Sequence, residues 1–167
     1  MRVVSNASPL INLATIGQLT LLRRLYRQVT VPPAVWNEVV RLGKGKPGSR
    51  AVRAASWIRV KAVRDRSLVE MLLHDLDLGE AESIVLAREL HADLLLLDES
   101  HARRAAQRLG LQITGLVGVL LEAAAKGLVS DLAETLRELR DHAGFWLADE
   151  VVDEALRLDR SARRQTP

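Results

Sequence analysis

Five oxygen-bearing side chains stand where a fold of ordinary design would place apolar residues or turns. Asp98 directly follows the run Leu94–Leu97 and so ends a buried strand, and Glu99 comes next. Asn6 occupies the same place at the end of the first apolar run, "VVSN". Glu80 opens a helical pattern in which, at about 100° per residue, Ile84, Ala87 and His91 share its face while Glu82 and Glu89 point nearly the opposite way. Glu38 lies at the edge of a face formed by Val35, Val39 and Leu42. If Asn6, Glu38, Glu80 and Asp98 converge, they make an anionic, oxygen-lined pocket. Such a pocket is unfavourable unless a cation neutralises it. Hard oxygen donors suit Mg²⁺ or Mn²⁺. The chemistry that follows is metal-assisted hydrolysis of a phosphodiester.

Each residue also has a plainer reading. Asp77 and Glu80 have the spacing of a capping box. Glu38 can form a surface ion pair with Arg41, worth little. Asp98 can cap the helix that follows it, and Asn6 can cap a turn.

The elements that would position these residues alternate between strand and helix. Residues 2–6 read as a buried strand, Ser8 as an N-cap with Pro9 in the first turn, and Gly17 as the stop. A second helix spans 18–27, and 28–32 form a short strand. Pro33 starts a helix that stops at Gly43, and 43–49 form a flexible loop. A short helix and a strand at 57–63 follow. Residues 68–92 hold two helices with a break near Asp75–Gly79. The run 93–98 has the continuous apolar character of a strand covered on both faces. Helix 99–110, strand 111–115, helix 116–127 and helix 130–143 complete the pattern. This alternation predicts an α/β three-layer α/β/α sandwich around a mainly parallel sheet. Residues 1–148 are expected to form one domain, with 149–167 a C-terminal helix and a frayed tail from Arg160.

Composition narrows the function classes. The chain has 167 residues, 48% hydrophobic and 27% charged, as expected of a soluble globular protein. It has no cysteine, which excludes disulfides and thiolate metal sites and favours an intracellular, cytoplasmic setting. No apolar run approaches the ~20 residues of a membrane span. The net charge is +3, and Arg supplies most of the 24 basic residues. Nucleic-acid binding is permitted by this balance without being required.

Four stretches carry a resemblance: "VVSNASPLINLATIG", "VPPAVWNEV", "LDLGEAESIVLA" and "LLLLDESHARRAAQRLGLQITGLVGVLL". In this order, over residues 2–127, the chain resembles the PIN-domain family. It is closest to the PIN-like branch whose first strand reads "SNxSPLI". The resemblance implies the α/β/α sandwich and a Mg²⁺- or Mn²⁺-dependent ribonuclease site. Asn6, Glu38, Glu80 and Asp98 take the family's four acidic positions, and Glu99 is an auxiliary metal ligand. The resemblance also implies an RNA substrate, a possible role as the toxin of a toxin–antitoxin pair with a small antitoxin protein, and a homodimer. Two positions depart from the family. Asn6 stands where a typical member has Asp, and Leu96 stands where typical members have a small hydroxyl residue. The alternative is a PIN-like module that binds RNA or a protein partner without cleaving.

Other candidates are weaker. Ser100 and His101 lack a nucleophile elbow, and the four histidines lack zinc-ligand spacing. No glycine pattern matches a phosphate-binding loop, and "GLVG" at 115–118 reads as close helix–strand packing. Arg23, Arg24 and Arg27, and Arg103, Arg104 and Arg108, are two clusters that could neutralise an RNA backbone. Trp36 and Trp146 are expected to pack in the core or at a dimer interface.

Overall fold

The computed structural model describes residues 1–46 and 48–165. Five short strands form one sheet: β1 (Val3–Ser5), β2 (Val29–Val31), β3 (Ile58–Val60), β4 (Leu94–Leu96) and β5 (Ile113–Thr114). All pair in parallel, in the order β3-β2-β1-β4-β5. The chain thus winds outward from β1 to one edge, then returns beside β1 and winds to the other. The direction reverses between β1 and β4. In open α/β sheets the carboxyl ends at such a reversal are where ligands bind. Asn6 and Asp98 follow those two strands. Their seam is set by the register Ser5↔Leu96, with the Asn6 N–H donating to the Leu96 carbonyl at 3.0 Å.

Alternate side chains enter opposite layers, as the pleat requires. Val3 and Leu96 pack with α1 (Ala7–Thr15), α2 (Thr20–Tyr26), α8 (Leu116–Ala125) and α9 (Leu132–His142) through Leu10, Leu13, Leu22, Leu120 and Leu136. Val4, Leu95 and Leu97 face the other way, onto Ile84 and Ala87 of α6 (Leu78–Glu89) and Ala102 and Ala106 of α7 (Ser100–Arg108). Each fully buried Leu or Val contributes about 1.5–3 kcal/mol of transfer free energy. The expected three-layer α/β/α architecture is the one observed.

Helix α3 (Pro33–Trp36) begins at Pro33 as expected and runs on into a π-helical segment, Asn37–Leu42, that stops at Gly43. Such wide turns re-aim side chains and are frequent at functional sites. Helix α4 (Ser49–Ala54) and α5 (Arg66–Leu72) follow.

Several boundaries differ from the sequence reading. The first strand ends at Ser5, and α1 starts at Ala7 with Asn6, not Ser8, at the N-cap position. Helix α6 ends at Glu89, so His91, which has φ 47°, lies outside it and cannot share the face of Glu80. Glu82 is buried, contrary to its expected outward position. The cause is that α6 is covered on two sides: by the sheet, and by α5 through Ala81 and Val85 against Leu68 and Val69. Residues 160–165, expected to fray, continue α10 (Asp149–Gln165). Thr166 and Pro167, the end of that expected tail, lie outside the described residues. Among the described residues no helix is long and apolar enough to cross a membrane.

Candidate metal and phosphodiester site

Asn6 has the backbone of an N-cap, φ −76° and ψ 175°, yet its side chain makes no capping hydrogen bond. The residue is only 7% exposed, and its Oδ1 is buried with no hydrogen-bond partner in the protein. A buried acceptor left without a donor costs about 1–3 kcal/mol. Nothing in capping accounts for that cost, because the side chain accepts no bond from the first turn of α1.

What surrounds Oδ1 is informative. A Cβ added to Gly79 would lie 3.3 Å from Glu38 Oε2 and 3.4 Å from both Asn6 Oδ1 and Asp77 Oδ1. Three oxygens from three separate elements therefore border the small space above this one glycine. The β1 end supplies the amide, the π-helical segment supplies Glu38, and the cap of α6 supplies Asp77.

Glu80 joins them from the same first turn of α6. It closes the expected capping box: its N–H donates to Asp77 Oδ1 at 2.8 Å, and its Oε2 accepts the Asp77 N–H at 3.0 Å. The plain reading of Glu80 is thus observed. It coexists with a second fact, that Asp77, Glu99 and Glu38 all act on the Glu80 charge. Glu38 is exposed overall, but its Oε2 turns in toward Gly79 and its carboxyl is partly desolvated. Among the described residues it forms no ion pair with Arg41, the expected surface partner.

Asp98 is placed differently. Its Oδ1 accepts the Leu116 N–H at 2.7 Å and its Oδ2 accepts the Ser8 hydroxyl at 3.2 Å. Asn12 Nδ2 in turn donates to Ser8 Oγ at 3.0 Å. The N-cap of α7 is Glu99, so Asp98 does not cap the helix after it and instead holds the first turn of α8. Gly115 makes this possible: a Cβ there would be 2.8 Å from Asp98 Oδ1 and 3.1 Å from Arg103 Nη1. Arg103, expected on a basic surface, is half-buried and donates to the Leu97 carbonyl at 2.8 Å. The structure thus gathers Asn6, Glu38, Asp77 and Glu80, sets Asp98 to one side within its own hydrogen bonds, and leaves exposed Glu99 acting on both Glu80 and Asp98.

Asp98→Asn tests how far Asp98 also supports the fold. Asn can accept from Leu116 through its oxygen, but the amide nitrogen then stands where Oδ2 was and cannot accept the Ser8 hydroxyl. The expected loss is about 1–3 kcal/mol, or about 2–4 °C in Tm per kcal/mol for a chain of this size. A thermal melt unchanged from the parent would show that Asp98 carries no structural load.

The carboxyls of Glu38, Glu80 and Asp98 all titrate above their ordinary range, and desolvation is the first cause in each. Asp77 adds to the rise at Glu38 and Lys46 opposes it. At Glu80 the backbone hydrogen bond from Asp77 opposes the rise, while the charges of Asp77, Glu99 and Glu38 add to it. At Asp98 Leu116, Ser8 and Arg103 oppose it and Glu99 adds. An acid raised in the folded state stabilises the fold when protonated. That contribution is complete below the unfolded pKa and is lost as pH rises through the folded one. In chelator, therefore, Glu80→Gln, which keeps the capping bond, should gain stability over the parent as pH rises from about 4 to 7. Saturating Mn²⁺ should erase the gain. Melts whose difference stays flat across that range would show that Glu80 titrates as it does in solvent.

One buried acid and one basic cluster went unremarked in the sequence reading. Glu82 Oε2 accepts the Ala34 N–H at 3.0 Å, and Oε1 accepts from Arg66 Nη1 at 2.7 Å. It ties α6 to the helix that leads to Glu38, and no spacing rule marks it. Lys44, Lys46, Arg50 and Arg53 line a cavity of about 600 Å³ adjoining the π-helical segment. The signal was the "GKGK" loop followed by Arg at 50 and 53.

The order of the fold and the placement of these side chains meet in one comparison. A family model of the PIN domain matches residues 2–161. The chain belongs to the PIN-domain family. The match runs from β1 through most of α10, so it covers the whole sheet and every residue of the candidate site. PIN domains are commonly nucleases and typically metal-dependent. Among curated proteins none matches the chain.

Whether the residues of this PIN domain fit a metal ion can be asked of the geometry. Among the described residues no three Asp, Glu, His or Cys side chains stand close enough to hold an ion by themselves. The buried, unpartnered Asn6 oxygen beside Glu38 nevertheless has the character of a ligand, and the narrow space over Gly79, which a Cβ would fill, is the cradle it borders. Mg²⁺ keeps several waters and takes one or two carboxylates. The donor set fits such a water-rich ion.

Proposed function

We propose that this PIN domain is a Mg²⁺- or Mn²⁺-dependent endoribonuclease. The observation that carries the reading is the buried Asn6 Oδ1, without a partner, facing Glu38 across Gly79. Asn6 and Glu38 would hold the ion, with Glu80 and Glu99 within reach of its waters and Asp98 fixing the wall beside it. When bound, the ion supplies a water of lowered pKa and charge stabilisation for the phosphodiester. The chain's own part is positional. Glu82 sets the Glu38 segment against α6, the capping box fixes Glu80, and burial raises the Glu80 pKa, which makes its carboxylate a better proton acceptor than a solvated one. Lys44, Lys46, Arg50 and Arg53 offer the basic lining that an RNA backbone needs beside an acidic site, so binding should weaken with salt. The family suits the toxin of a toxin–antitoxin pair, with a small antitoxin protein as partner and a homodimer as the working form.

Calorimetric titration of Mn²⁺ into the purified chain, followed by cleavage of single-stranded RNA, tests this. Glu38→Gln should lower both Mn²⁺ affinity and cleavage by at least about tenfold, while in chelator at neutral pH it melts no lower than the parent, because it removes a carboxylate that burial and Asp77 disfavour. Full cleavage by this variant would remove the site from consideration. A second reading, a module that binds RNA or a protein without cleaving, is favoured by the neutral Asn6 and by the hydrogen bonds that occupy Asp98. It predicts salt-dependent RNA binding with no metal-dependent cleavage.

A further inference from the structure

Trp146 was expected in the core or at a dimer interface. It is instead 81% exposed, the most exposed of the large apolar side chains among the described residues. Its presentation is not loose. Phe145 before it packs on the core, with its N–H donating to the Leu139 carbonyl at 3.1 Å, and Leu147 after it is buried. The turn between α9 and α10 is thus pinned on both sides while the indole projects outward. Beside it opens a cavity of about 790 Å³ whose lining includes Ser8, Asn12, Thr114, Asp98 and Glu99 as well as Trp146.

We propose that this cavity is a nucleobase subsite, in which Trp146 stacks on a base of single-stranded RNA adjoining the phosphate held at the acidic site. The inference rests on the ribonuclease reading above and deepens it. Three observations select a base. The cavity shares Asp98 with the strand-end seam and Glu99 with the surroundings of Glu80, so one strand of RNA can reach both. Its walls carry the carboxylates of Asp98 and Glu99 against one guanidinium, that of Arg103, whose Nη1 donates to the Leu97 carbonyl. The balance is anionic and disfavours a phosphate more than a neutral base, and the basic cavity on the Glu38 side suits the backbone. Finally, an exposed indole held by an ordered turn loses little freedom on stacking, and base–aromatic stacking is tolerant of sequence. The adjoining groove of Val117, Leu121, Val151 and Leu158 has the different, apolar character of a protein seat.

The test is anisotropy of fluorescein-labelled RNA pentanucleotides in chelator, where binding is read without cleavage. Trp146→Ala should weaken binding roughly tenfold, Trp146→Phe should retain most of it, and both should melt like the parent. An abasic substitution at one position of the oligonucleotide should cost the parent roughly the same factor and leave Trp146→Ala unaffected. Equal affinity of Trp146→Ala and parent, with cleavage still sensitive to Glu38→Gln, would overturn the subsite and leave the ribonuclease reading standing. A parent that binds neither RNA nor Mn²⁺ would overturn both. If light scattering shows Trp146→Ala turning a dimer into a monomer with RNA affinity unchanged, the face belongs to a second copy of the chain and the subsite is wrong.

Discussion

Asn6→Asp is expected to make the protein less stable without metal and more stable with it. The side chain is 7% exposed and its Oδ1 has no donor. A carboxylate in its place adds a charge beside Glu38 and Asp77, in a region where Glu38 and Glu80 already titrate high. In chelator at neutral pH the expected cost is about 1–3 kcal/mol, or roughly 2–12 °C in Tm. The cost should shrink as pH falls toward the ordinary carboxylate range, because protonation removes the added charge. Mn²⁺ should reverse the order of the two proteins, since ligand charge count sets affinity at oxygen sites, with at least about tenfold tighter binding in the variant. Thermal melts with and without Mn²⁺ read both halves. A variant that is as stable as the parent in chelator and no more responsive to Mn²⁺ would place Asn6 outside the pocket.

Gly79→Ala should separate the site from the fold in the opposite way. The position is in the first turn of α6, where Ala is favoured over Gly by about 0.5–1 kcal/mol. The added methyl would stand 3.3–3.4 Å from oxygens of Glu38, Asn6 and Asp77, closer than most such contacts but within reach of small adjustments. The two effects oppose, so stability in chelator should change by less than about 1 kcal/mol. The cradle, however, is filled. Mn²⁺ binding and any cleavage should fall by at least about a hundredfold, because ligand oxygens kept apart by a methyl cannot share one ion at about 2.1 Å. Retained Mn²⁺ affinity would show that the ion binds elsewhere, and the Glu99 side of Asp98 would become the place to look.

The architecture was readable because its signals are local and redundant. Four consecutive leucines before Asp98 have the continuous apolar character of a strand covered twice, and Pro33 and Gly43 bracket a helix wherever it packs. The cap of α6 was equally plain, since Asp77 and Glu80 satisfy each other within one turn. What escaped depends on neighbours distant in sequence. Helical periodicity assigns one buried face, but α6 is covered by both the sheet and α5, so Glu82 is buried where a single-face rule turns it outward. Asp98 looked like the cap of α7. Its partner is Leu116, reached only because Gly115 lets the carboxylate approach. Asn6 was legible as a strand end, yet whether it capped a turn could be answered only by the missing bond to its Oδ1. Trp146 escaped because a lone aromatic carries no pattern that distinguishes an inward from an outward indole.

The parallel sheet also fixes when this site can come into being. No two neighbouring strands are joined by a tight turn, and the central pairing of β1 with β4 links parts of the chain that leave the ribosome far apart in time. Ser8 must wait for Asp98, 90 residues later, and Asp98 must wait a further 18 for Leu116. Contacts of such sequence separation form late and slowly. Until β4 has emerged, the segment carrying Asn6 has no neighbour on that side, and until the first turn of α8 follows, Asp98 lacks the Leu116 N–H that holds it. A growing or truncated chain is therefore without the site, whatever chemistry that site performs, until about two thirds of the sequence has been made.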